Sequence, residues 1–317
     1  MIYTTSSPWL SDFVLTATII RSGLASQFYR SARAGHFVRL ASGVYFPAVV
    51  WAGLSADDRF LVRVHAVALA SQPGNVFSHY SAAALWRLPL VGAWPGKPEV
   101  VVGVGATGRT RRSFAARKYA LPLEPDVIDG VTVTPLARTV VDMGRVAPLS
   151  VSVPMIDRAL AVKKSGAAAL PVSIAPADLA SEVRAISSTR GMARCGRAIE
   201  LADGLSGSPG ESLSRVAIHV LGLPAPVLQY PFYDAHGLVG IVDFWWPDFD
   251  LIGEFDGHGK YLREDLLGGQ STADAVIAEK RREDRLRALG PRVCRWGWAE
   301  ARSLPRLSAH LAQAGLR

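Results

Sequence analysis

The spacing of apolar positions changes along the chain, and each change marks an element. A short helical run from Thr16 to Ser22 is broken at Gly23. A second run, Gln27–Ala34, has Ser26 as its expected N-cap and Gly35 as the residue that ends it. Phe37-Val38-Arg39-Leu40 and Gly43-Val44-Tyr45-Phe46 then flank a short Ala-Ser turn, which predicts two paired strands. Farther on the period is mixed. Asp58–Ala70 and Tyr80–Trp86 read as helices, Val100–Val104 and Val131–Thr134 as short strands, and Arg138–Gly144 and Pro154–Ala161 as helices again.

The C-terminal third has the clearest pattern. A helix over Glu211–Leu221 is closed by Gly222, with Pro224 and Pro226 beyond it. Strands follow at Val227–Tyr233, Leu238–Trp246 and Leu251–Asp256, the first two joined through Asp234-Ala235-His236-Gly237. After a loop over 257–270 come a helix at Thr272–Leu289, a strand at Arg292–Trp298 and a helix at Glu300–Gln313. The expected order is α-β-β-β-α-β-α.

These patterns predict a multidomain α+β or α/β chain. A helix-turn-helix with a two-stranded wing occupies 1–56 and a mixed α/β domain 57–162. A helical linker, rich in Ala, Pro, Ser and Lys at its start, covers 163–204, and the α-β-β-β-α-β unit covers 205–317. A helix, turn, helix and wing in that order is how winged helix-turn-helix domains place a helix in the DNA major groove.

Composition narrows the function classes. The chain has 317 residues, 49% of them apolar and 20% charged, which excludes a wholly disordered chain and suits more than one domain. No run of about 18 to 20 uncharged apolar residues occurs, and the first fifteen residues lack a secretory pattern, so no membrane association is expected. Only Cys195 and Cys294 are present, 99 positions apart, which excludes a disulfide scaffold and a cysteine-rich zinc module and suits a reducing cytoplasm. The net charge of +8 is uneven: residues 1–150 carry 15 Lys and Arg against 8 acids, whereas 205–317 carry 13 against 14. A basic N-terminal half suits a polyanionic partner. Gln27, Arg30 and Arg33 are the expected outward donors of the second helix, and Arg39 on the wing is placed to meet phosphate. Arg109, Arg111 and Arg112 open a run of five cations over 109–118 with no acid among them, either a phosphate-tracking loop or a solvated surface.

Candidate chemistry lies in the C-terminal strands. Glu254 and Asp256 alternate onto one face, and Asp243 sits within an apolar run on the preceding strand. Buried carboxylates are costly unless paired or metal-bound, and oxygen ligands of this kind suit Mg²⁺ or Mn²⁺. The competing reading is a structural ion pair, with Arg282 of the 272–289 helix neutralising Asp243 or Glu254 and Glu279 beside it. Glu211 also has a plain role, because Ser208-Pro209-Gly210-Glu211 fits a capping box. Gly103-x-Gly105-x-x-Gly108 lacks the helix a dinucleotide site requires, and the histidines show no zinc spacing. Trp245-Trp246 reads as core.

Several of these motifs together resemble a known family. Glu211-Ser212, Gly222-Leu223-Pro224, Val242-Asp243-Phe244, Glu254-Phe255-Asp256-Gly257, Lys260-Tyr261 and Glu279-Lys280-Arg281-Arg282-Glu283-Asp284 resemble the very-short-patch-repair-like branch of the PD-(D/E)xK nucleases, over about 205–305. The resemblance implies Asp243 and Glu254 as metal ligands and Glu211 as the helix acid. Asp256 stands where that superfamily has its lysine, and Lys260 is a candidate migrated cation. Residues 14–47, with Ser78-His79-Tyr80-Ser81-Ala82-Ala83 and Thr134-Pro135-Leu136-Ala137-Arg138-Thr139-Val140-Val141-Asp142, resemble AbiEi-like type IV antitoxins. That implies duplex-DNA binding and a cognate toxin as a further partner. The expectation is therefore a DNA-binding protein with a nuclease-fold C-terminal domain, cutting DNA with Mg²⁺ or Mn²⁺ through Asp243, Glu254, Glu211, Lys260 and Arg282. The alternative is a non-catalytic antitoxin-like regulator that uses that fold for binding.

Overall fold

A computed structural model describes residues 2–3, 7–71, 74–102, 113–118, 124–161, 173–186, 188–257 and 272–317. The chain divides into two compact units. One comprises Met1–Ala147 and Ser165–Gly196, and the other Pro148–Lys164 and Arg197–Arg317.

The first unit begins with β1 (Ile2–Tyr3), β2 (Val14–Leu15), α1 (Thr16–Arg21), α2 (Ala25–Arg33), β3 (Phe37–Ala41) and β4 (Val44–Pro47). Strands β2, β4 and β3 form an antiparallel sheet in that order. Phe28, the buried residue of α2, meets the rings of Phe37 and Tyr45 at 5.1 Å, which seats the helix on the sheet. Ser26 is not the N-cap: α2 starts one residue earlier, with Leu24 as its cap and no side-chain cap bond. The first helical backbone bond then runs from Phe28 N to Leu24 O.

Next come α3 (Ala48–Gly53), α4 (Ala56–Ala70), β5 (Val76–Phe77), α5 (His79–Leu85), β6 (Glu99–Val102), β7 (Ala115–Lys118), β8 (Asp126–Ile128), β9 (Val131–Val133) and α6 (Leu136–Val146). Ser55 caps α4 by accepting from Asp58 N at 3.1 Å. A six-stranded mixed sheet runs β1-β8-β9-β5-β6-β7. The short strands β5, β7 and β8 are absent from the sequence pattern because two to four residues carry too little periodicity.

Helix α7 (Leu149–Leu160) follows, then α8 (Pro176–Ala185) and α9 (Met192–Leu201). Pro154 lies inside α7, with Val153, Met155 and Ile156 wholly buried around it. The sequence pattern starts this helix at the proline, the position proline favours; burial on both sides of Pro154 extends it five residues upstream. The 163–204 region, expected as a linker, supplies α8 and α9 with Leu179 and Cys195 buried, while 162–172 lie outside the described residues.

The second unit continues with α10 (Pro209–Val220), β10 (Val227–Asp234), β11 (Gly237–Trp246), β12 (Leu251–Phe255), α11 (Thr272–Ala288), β13 (Arg292–Trp296), α12 (Trp298–Ala301) and α13 (Leu304–Gln313). That is the expected α-β-β-β-α-β-α order, except that the terminal helix is split into α12 and α13. The sheet runs β10-β11-β12-β13, antiparallel except for the parallel β12–β13 pair. Val239, Val242, Trp245 and Ile252 pack under Leu286 of α11. Phe244, Trp246 and Trp296 stack as a second cluster, and Trp296 Nε1 donates to Ser214 Oγ on α10 at 2.8 Å. Gly253 leaves room for both indoles, since a Cβ there would lie 2.7 Å from Trp296. Helix α7 joins this unit through the buried pair Asp157–Arg215, whereas the sequence pattern assigns it to the middle domain. Among the described residues no helix is long and apolar enough to cross a membrane.

Candidate functional site

Four carboxylates of the second unit collect at one site on its sheet. A pocket of about 210 Å³ is lined by Asp243 of β11, Glu254 and Phe255 of β12, Asp256, Glu279 and Arg282 of α11, and Arg295 of β13. The parallel register of β12 and β13 sets Glu254 directly beside Arg295. Four carboxylates thus face two guanidiniums, a net charge of −2 among the described lining residues.

The arginines are spent on Glu254 and its neighbours. Arg282 Nη2 donates to Glu254 Oε1 at 2.7 Å and to Glu279 Oε1 at 2.8 Å, and its Nε donates to Glu279 Oε2 at 2.9 Å. Arg295 Nη2 lies 2.9 Å from Glu254 Oε2 and donates to Glu279 Oε1 at 2.6 Å, while Nη1 reaches Glu283 at 3.2 Å. Burial pushes the Glu279 carboxyl up, but the bonds from Arg282 and then Arg295 outweigh it and hold the group below its ordinary range. Both oxygens of Glu254, a residue only 8% exposed, are therefore matched by guanidinium.

Asp243 and Glu211 are joined differently. Asp243 Oδ2 accepts from Phe255 N at 2.9 Å, and its Oδ1 accepts from Gln229 Nε2 at 3.2 Å. The same Nε2 donates to Glu211 Oε2 at 3.0 Å. At the start of α10, Ser208 Oγ accepts from Glu211 N at 3.2 Å as a capping box requires. The return bond differs: Glu211 Oε2 accepts from Gly207 N at 2.7 Å, one residue before the cap. Glu211 therefore both closes the helix start and faces the strand acid. Gly210 makes this approach possible, since a Cβ there would lie 2.0 Å from the Phe255 ring.

The structure brings Asp243, Glu254, Asp256 and Arg282 to one pocket and ties Glu211 to Asp243. Of the two acids expected for Arg282, Glu254 is the one it binds, together with Glu279. Lys260 and His258 lie outside the described residues, as do Arg109, Arg111 and Arg112. Gln229 and Arg295 are site residues that the sequence reading missed.

In the first unit Gln27, Arg30 and Arg33 are all exposed on α2, and Arg39 is exposed on β3 with its Nε donating to Ala41 O at 3.4 Å. Residues 1–55 carry four arginines against a single acid, Asp12. Elsewhere in this unit His79 is buried, with Nδ1 2.9 Å from Ser78 Oγ, and burial pushes its imidazole down.

No family model matches the chain. A stretch of 67 residues, 21% of the chain, is 39% identical to two uncharacterized proteins of Mycobacterium tuberculosis, MT2308 of strain CDC 1551 and Rv2248 of strain H37Rv. The chain covers 25% of the length of each of these relatives.

Proposed function

We propose that this chain is a duplex-DNA-binding protein, with a winged helix-turn-helix at its N-terminus and a nuclease-like C-terminal unit. The observation that carries the reading is the α2 face, where Gln27, Arg30 and Arg33 are all exposed within a segment that has one acid. The order α1, α2, β3, β4 suits a helix offered to the major groove and a wing beside it, with Arg39 in reach of phosphate. The nuclease-like reading is supported by the antiparallel β10-β11-β12 meander, the parallel β13 and the acids Glu211, Asp243, Glu254 and Asp256 at one site on that sheet. A partner toxin follows from the antitoxin resemblance and belongs to the same proposal.

The arginine pairing of Glu254 favours a binding role for the C-terminal unit, in the manner of a non-catalytic regulator. The carboxylate oxygens have the hard-donor chemistry of a Mg²⁺ or Mn²⁺ site. As arranged they do not fit one, because both oxygens of Glu254 are taken by Arg282 and Arg295. No catalytic step is therefore derived through a metal. The second reading, a metal-dependent endonuclease, is favoured by the pocket's net charge of −2, which one divalent cation would balance.

Duplex binding followed over salt concentration, with plasmid cleavage and thermal unfolding measured in Mg²⁺ and Mn²⁺, tests both readings. Salt-dependent binding without metal stabilisation or cleavage supports the regulator. Cleavage lost in Glu254→Ala, with metal stabilisation lost in Asp243→Ala, supports the endonuclease. Absence of duplex binding at low salt overturns the proposal.

A further inference from the structure

Gln229 has two features that its place in a strand does not require. It is one of five non-glycine residues with positive φ among those described, at 51° in the interior of β10, where an extended conformation is the rule. Its amide nitrogen donates to both Glu211 Oε2 and Asp243 Oδ1, at 3.0 and 3.2 Å. The pairs Leu228–Phe244 and Tyr230–Val242 on either side place Gln229 opposite Asp243 across the β10–β11 ladder. From that position its amide nitrogen reaches the gap between helix acid and strand acid.

The chemistry of the gap selects an amide. Two carboxylates facing each other repel, and a neutral side chain with two N–H donors on one nitrogen can satisfy one oxygen of each. A carboxylate there adds a third negative charge, and an apolar side chain removes both donors. Among the described residues, the charged groups that line the pocket with Asp243 are Glu254 and Asp256 from the β12 side, Glu279 and Arg282 from α11, and Arg295 from β13. Both oxygens of Glu254 bind the two arginines, which also bind Glu279, so both guanidiniums are engaged on that side of the pocket.

We infer that Gln229 is the positioning residue of the C-terminal site, its amide holding the helix acid Glu211 and the strand acid Asp243 at a fixed separation. Calling that pair a working site rests on the nuclease-like reading above; the positioning role itself is tested without cleavage.

The experiment is a double-mutant cycle in the full chain, with thermal unfolding of wild type, Gln229→Met, Asp243→Asn and the double variant at a single pH. Gln229→Met keeps about the same volume and removes both donors. It is expected to lower the midpoint by at least about 3 °C in the wild-type background and by clearly less where Asp243 is already asparagine. Equal losses in the two backgrounds mean a packing role alone, and that result overturns the inference. Should Asp243→Asn fail to fold, Glu211→Gln takes its place in the cycle and decides by the same criterion. Wild-type cleavage in Mn²⁺, measured in parallel, separates the two ideas: no cleavage with the expected coupling counts against an endonuclease and leaves the positioning role standing.

Discussion

Glu254 shows at the scale of one residue how a nearly buried carboxylate is stabilised. Its carboxylate is nearly buried, and Arg282 and Arg295 each take one oxygen. Removing one partner of such a pair leaves a charge that water reaches poorly, whereas removing both is milder. Arg282→Met should cost about 2 kcal/mol, below the figure for a fully buried pair because the guanidinium is partly exposed. Arg282→Met combined with Glu254→Gln should cost less than Arg282→Met alone, and urea unfolding of the three proteins checks the order. His65 gives a second residue-scale expectation. Burial beside the Trp9 ring pushes its imidazole from the ordinary 6.5 down to about 4. The unfolded chain then binds a proton that the folded chain refuses, so stability falls as pH drops from 6.5 to about 4. The loss is about 3 kcal/mol over that window. His65→Leu should flatten this part of the pH profile, and an unchanged slope counts against the assignment.

Among the elements, α2 and α10 are short helices put to contrasting uses. Helix α2 buries only Phe28 and turns most of its polar residues outward. Its stability comes from that single aromatic anchor on the sheet, so the outward positions are open to substitution. Arg30→Ala with Arg33→Ala should therefore leave the fold unchanged while weakening duplex binding. The slope of log affinity against log salt should fall by about one unit for each phosphate that the variant no longer neutralises. Binding titrations at several salt concentrations check this, and an unchanged slope removes α2 from the DNA interface. Helix α10 is the reverse case. Most of its residues are buried, and its first turn presses on Phe255 at Gly210. That packing places Glu211 at the site, so its position is set by the helix seat as well as by its cap.

Across the whole chain, the C-terminal unit is assembled from separated segments. Helix α7 precedes the 165–196 segment of the other unit, yet Asp157 on α7 pairs with Arg215 on α10 and accepts from Asp203 N at 2.7 Å. Burial pushes the Asp157 carboxyl up, and Arg215 draws it back down. Asp157→Ala leaves Arg215 buried without its counter-charge and should destabilise the C-terminal unit by about 3 kcal/mol. Hydrogen exchange should show the loss in α10 and the β11–β12 strands, with α4 and α5 of the other unit unaffected. Adding Arg215→Met should recover part of it. A uniform loss over both units contradicts the division of the chain.

The elements of the C-terminal third were legible from local pattern alone, because glycines, prolines and alternating apolar runs act over a few neighbouring residues. The acids Asp243 and Glu254 stood out for a similar reason, as charges inside apolar runs, and Glu211 as the N3 residue of a capping box. Their partners were not legible. Counting back from the Asp234–Gly237 hairpin pair sets Leu228 opposite Asp243, but a bulge between Phe232 and Tyr233 shifts the register by one and brings Gln229 there instead. The pairing of Arg295 with Glu254 depends on a parallel register across a crossover, which no short-range signal encodes. Local sequence thus determined which elements form and which charges they carry. Which charges meet was decided by one bulge and one crossover, since a single-residue change of register turns every side chain to the opposite face.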